Sequence, residues 1–169
     1  MRLTIPAILI FAALSAHAAE WDAKTVDRDL NALLAKKDYS GANALAEWII
    51  DTFRGAADET RRAILANAYL TVGKFRFAAA MNLAEREQKV QASVSFAEAR
   101  WAFLHVVAEY FDNDAQVAAA HYFAGLCYDR LNGVEGDAGE KARREWRTVV
   151  EKFGKSEFKE LAEKELARK

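Results

Sequence analysis

Apolar residues recur along most of the chain at intervals of three and four, the spacing that gathers them on one side of an α-helix. The pattern predicts helices at about 24–36, 40–54, 58–72, 75–92, 96–111, 115–132, 138–153 and 157–168. Breaks are expected at Gly55, Gly73, Gly133, Gly136 and Gly154, because glycine enters the left-handed conformation that closes a helix. Starts are marked by Asp58, by Ser95 with Glu98 and Asp137 with Glu140 at capping-box spacing, and by Asp114 and Ser156 as single caps. No run alternates with the period of two that a strand requires. The expected fold class is all-α, with about eight helices.

Residues 1–18 stand apart from this pattern. Arg2 precedes an apolar run from Leu3 to Leu14, followed by Ala16-His17-Ala18, the layout of a cleavable signal peptide. That run is too short to cross a bilayer as a helix, which takes about 20 residues. The expectation is an exported, periplasmic or secreted protein with a single domain over 19–169. Pro6, the only proline, leaves with the signal.

Composition then narrows the chemistry. The formal charge is −1, and more negative without Arg2, so no basic surface for nucleic acid is expected. Cys127, the only cysteine, sits between Leu126 and Tyr128 in an apolar helical run and reads as a buried, inert thiol. His105 and His121 share no short metal-ligand spacing with it or with each other. No Gly-rich phosphate loop, nucleophile elbow or haem-attachment motif is present. The carboxylates fall among lysines and arginines on polar helix faces, as in Glu140/Arg144 and Glu160/Lys164. No catalytic residue, metal or cofactor is expected.

The 96–111 helix is apolar on two sides. Phe96, Ala99, Phe103, Val106 and Tyr110 share one face, and Trp101, Leu104 and Ala108 another. A helix of that kind lies between neighbours. The segment LANAYLTVGKFRFAAAMNLAE, residues 65–85, carries Ala66, Tyr69, Gly73, Phe75 and Ala78, and LLAKKDYSGANALAEW repeats the theme with Ala42 matching Ala78. Ala99, Phe103 and Val106 recur as Ala142, Trp146 and Val149, with GVEGD (133–137) as the insertion, while Gly125 and Tyr128 take the small and aromatic places of a first helix.

These residues resemble the tetratricopeptide repeat, in which small residues let two antiparallel helices touch and aromatics fill the gap to the next pair. Residues 96–167 are similar to the repeats of bacterial envelope proteins, among them the periplasmic coordinator of the Tol–Pal system and the lipoprotein of the outer-membrane β-barrel assembly machine. The turns Phe111-Asp112-Asn113-Asp114 and Phe153-Gly154-Lys155-Ser156 stand where those repeats place aromatic-Pro-x-Ser. The resemblance implies a right-handed superhelical stack of helix pairs, with a slip of phase near 88–96, where two second-type helices follow one another. It implies a non-enzymatic scaffold that holds a protein or peptide partner of the cell envelope in a concave groove. The residues placed on that groove are Asp27, Asn31, Asn67, Thr71, Tyr122, Leu126, Asp129 and Arg130. Asn31 and Asn67 resemble a clamp for a peptide's C-terminal carboxylate, but Asp27 stands where such clamps carry a lysine, which favours a looser polar groove. The alternative is a helical binding protein for a small or lipidic ligand. The basic stretch 140–169 reads as a solvated helix closing the open end of the array.

Overall fold

A computed structural model describes residues 23–55, 58–110 and 114–168, and the expected signal peptide lies outside the described residues. Among the described residues there are seven helices and no strand. They are α1 (Ala23–Ala35), α2 (Tyr39–Phe53), α3 (Glu59–Glu85), α4 (Lys89–Glu109), α5 (Asp114–Arg130), α6 (Ala138–Lys152) and α7 (Lys159–Ala167). Each helix packs on the next, and α3 also touches α1 and α5. The Arg62 guanidinium at the start of α3 donates to the carbonyl of Glu109 at the end of α4, so these two run antiparallel.

The largest departure from the expected pattern is α3. It runs unbroken for 27 residues through Gly73, where two helices and a turn were expected. Gly73 serves packing instead. A Cβ there would come 2.5 Å from Cε1 of Phe103 on α4, so its absence lets the ring lie against the helix backbone. Gly125 on α5 does the same for the Trp146 indole on α6, whose Nε1 donates to the Tyr122 carbonyl at 3.2 Å. These two contacts repeat one packing device in α3–α4 and α5–α6.

The turn falls later, at Arg86–Gln88, and contains no glycine. Glu87 adopts φ 61°, the Gln88 amide donates to Leu83 O and the Glu87 amide to Ala84 O. After α1 the same turn appears: Lys37 has φ 59°, Asp38 donates to Leu33 O and Lys37 to Leu34 O. Both are Schellman closures, which satisfy helix carbonyls that would otherwise lack partners. They align Ala42 with Ala92, both buried, rather than with Ala78, which is exposed. The expected slip near 88–96 is therefore a lengthened α3 serving the helices on both its sides.

Some caps differ from expectation as well. Asp58 caps α3 through Arg61 N, and Asp38, unforeseen, caps α2 through Gly41 N, each at 2.9 Å. Ser95 and Glu98 lie inside α4 and form no capping box. Asp137 precedes α6, but its carboxylate pairs with Lys141 at 2.8 Å and makes no cap hydrogen bond. Ser156 Oγ accepts from Phe158 N at 3.2 Å, and Asp114 is the first residue of α5. Gly55 and Gly133 hold positive φ at the ends of α2 and α5, where other residues would be strained.

The core comprises two buried clusters that share Phe77, Leu104, Phe123 and Phe158 at their junction. All six residues of the expected repeat are buried: Ala99, Phe103 and Val106, and Ala142, Trp146 and Val149. Of the second face expected on α4, Leu104 is half-buried, but Trp101 stays 57% exposed. The 131–137 loop is fixed by Glu135, which pairs with Arg100 of α4 at 2.6 Å while that guanidinium lies 4.7 Å over the Tyr128 ring.

Candidate functional site

The difference in length between α1 and α3 shapes a mostly apolar concavity. α1 runs beside the N-terminal half of α3 and ends at Ala35, whereas α3 continues to Glu85. The lane left beside the second half of α3 is a groove of about 720 Å³. Leu34 and Tyr39 form one end. Its floor is the α3 face that carries Leu70, Phe75, Ala78, Ala79 and Leu83. The polar lining is Asn67, Thr71, Lys74 and Asn82. Tyr39 and Phe75 are 57% and 38% exposed, so two large rings face solvent on the same concave surface.

Lys74 is the only charged residue of this lining. Its stem belongs to the groove, while its ammonium group lies 5.2 Å from the centroid of the Phe123 ring. Desolvation there lowers its pKa, with Glu157 acting in the opposite sense.

Four of the residues that the sequence placed on a groove come together at its head. The Asn31 amide donates to Asp27 Oδ2 at 3.1 Å, and the Asn67 amide to Asp27 Oδ1 at 3.1 Å and to Asn31 Oδ1 at 3.5 Å. Thr71 Oγ1 donates to the Asn67 carbonyl at 2.9 Å. Asp27 thus receives the amide donors that a peptide carboxylate would need, and its own charge repels such a group. Asn67 and Thr71 line the groove directly; Asp27 and Asn31 stand behind them and join α1 to α3.

The other four lie elsewhere along α5. Tyr122 is buried, 5.4 Å from the Phe158 ring, and Leu126 is half-buried in the second core cluster. Asp129 and Arg130 are exposed at the end of α5. None of the four lines the groove beside α3. Tyr39, Phe75 and Leu83, which do line it, were not among the residues the sequence placed on a groove.

A second concavity of about 260 Å³ lies across α3 from α2 to α4, between Glu47, Asp51 and Arg54 on one side and Arg76 and Trp101 on the other. Trp101 stacks on His105 at 5.2 Å, and the Tyr69 ring lies 4.2 Å from His105. Burial lowers the His105 pKa, opposed by Glu109 and reinforced by Arg54.

The remaining chemistry-bearing groups are engaged in packing. His121 Nδ1 and Glu145 Oε2 are 2.6 Å apart between α5 and α6. Cys127 is fully buried, and desolvation pushes its thiol up to about 12. Among the described residues no cluster of His, Cys, Asp and Glu has the makings of a metal site. No described helix is long and apolar enough to cross a membrane. No family model matches the chain, and neither a curated protein nor a solved structure matches it.

Proposed function

We propose that the chain is a non-enzymatic adaptor of the bacterial cell envelope, with a tetratricopeptide-like stack of helices that holds a segment of another protein in the groove beside α3. The observation that carries this reading is the pairing of exposed Tyr39 and Phe75 on one concave, mostly apolar surface. Exposed rings gathered in a concavity favour a binding role over solvation, since isolated surface apolar residues need no partner but contiguous ones do. The paired Gly73–Phe103 and Gly125–Trp146 contacts support a repeat origin for the stack. The export signal read at residues 1–18 supports the envelope as its compartment.

The test is a photo-crosslinking amino acid placed at Phe75 in living cells, with the exposed Val134 as control. A discrete protein adduct at position 75, absent at 134, is the expected result. Equal labelling at both, or adducts to lipid alone, would overturn the reading.

A further inference from the structure

We infer that the occupant of the groove is an amphipathic helix of the partner, about three turns long, with a carboxylate that meets Lys74. This rests on the groove reading above and adds the conformation and charge of what it holds.

The shape of the lane argues for a helix. The N-terminal half of α3 already has a helix at its side, α1, which is tied to it through Asp27 and Asn67. Where α1 stops, the same face of α3 goes on without that neighbour. Phe75, Ala78 and Asn82 follow one another at helical spacing and all three are exposed, with Ala79 exposed beside them. Ala78 and Ala79 let a helix axis approach closely, while Phe75 and Leu83 supply ridges against which it can settle. From Thr71 to Leu83 the lane is about 18 Å long at 1.5 Å per residue. An apolar stripe at i, i+3, i+4 and i+7 fills such a lane, as in other helix-in-groove recognition. A docked helix continues the layer that α1 begins.

The charge of the lining selects the partner's flank. Lys74 is its only ionised side chain, and no carboxylate lines the groove. The Schellman turn at the groove's end adds the exposed Lys36 and Lys37 beside Tyr39. A carboxylate on the incoming helix therefore meets a lysine and no anion in the lining itself; the carboxylates around it are Asp27 behind the head, Asp38 in the turn and Glu157 beyond Lys74.

The purified chain is titrated with three labelled 18-residue peptides, and binding is read by fluorescence anisotropy. One has a leucine stripe with glutamate flanks. The second has lysine flanks, and the third is the glutamate peptide with two central prolines. The glutamate peptide should bind at least ten-fold more tightly than either of the others. Lys74→Glu should erase its advantage over the lysine peptide, and Ala79→Trp, which fills the lane from an exposed position, should abolish binding of both. Equal affinity for the proline peptide overturns the helical occupant, and equal affinity for the lysine peptide overturns the carboxylate. Palmitate binding without any peptide binding, or self-association of the chain that Ala79→Trp abolishes, assigns the lane to a lipid or a second copy and overturns the inference. If these peptides fail while a protein still crosslinks at position 75, the groove reading stands and only its occupant changes. Peptide binding that survives Ala79→Trp removes the groove altogether.

Discussion

The Phe103 ring occupies the space that a side chain on Gly73 would need, with Cε1 2.5 Å from where its Cβ would be. Gly73→Ala sets a gain in helix propensity, about 1 kcal/mol, against overpacking, about 1–3 kcal/mol. Phe103 is fully buried and cannot move aside without disturbing the core, so the packing penalty should win by about 1 kcal/mol. Urea melts check this. The same substitution in a Phe103→Leu background should cost measurably less, and an identical cost would show that the two positions are not coupled.

Arg100 connects α4, the 131–137 loop and α5. The Arg100 and Glu135 side chains are 18% and 33% exposed, which screens their attraction only in part. Arg100→Ala should lower stability by about 1–2 kcal/mol, allowing for that exposure. The loop, freed from its anchor, should be nicked by protease between Asn132 and Asp137 several-fold faster than in the parent chain. Nicking at the parent rate would mean the loop is held by its own turns.

Cys127 should resist thiol reagents in the native state at pH 8, because desolvation holds its thiol near 12 and no side of it meets solvent. Dithionitrobenzoate should label it only after urea is added. Fast labelling of the folded chain would place the thiol at an accessible site.

His105 gives stability an acid-side slope. Its folded pKa lies below the ordinary value of 6.5, mainly through burial among Tyr69, Trp101 and Tyr110. The unfolded chain therefore binds the extra proton first as pH falls. The contribution is fully present above about 6.5 and is lost as pH drops from there through the folded pKa. His105→Gln should flatten that part of the stability–pH curve in denaturant titrations from pH 7.5 to 5. An unchanged slope would assign it to other groups.

The helical character of the chain and the two triads Ala99/Phe103/Val106 and Ala142/Trp146/Val149 are readable from periodicity, because burial on a helix follows spacing. The continuity of α3 is not. Glycine weakens a helix intrinsically, and only the Phe103 ring, thirty residues further on, shows why Gly73 stays inside one. The turn at Glu87 is equally silent, since a glutamate carries no left-handed preference and the closure rests on backbone hydrogen bonds. The cluster of Asp27, Asn31, Asn67 and Thr71 is readable from turn-counting on α1 and α3. The apolar lane beside it is not, because whether Phe75 and Ala79 lie open depends on where the neighbouring helix ends in space.

The undivided α3 has a bearing on how the molecule comes apart. Arrays built from separate hairpins can melt from their ends, one unit at a time. Here a single rod packs against α1, α2, α4 and α5. Loosening either half withdraws support from the other, so loss of order should spread along α3 and the described domain should collapse in one step.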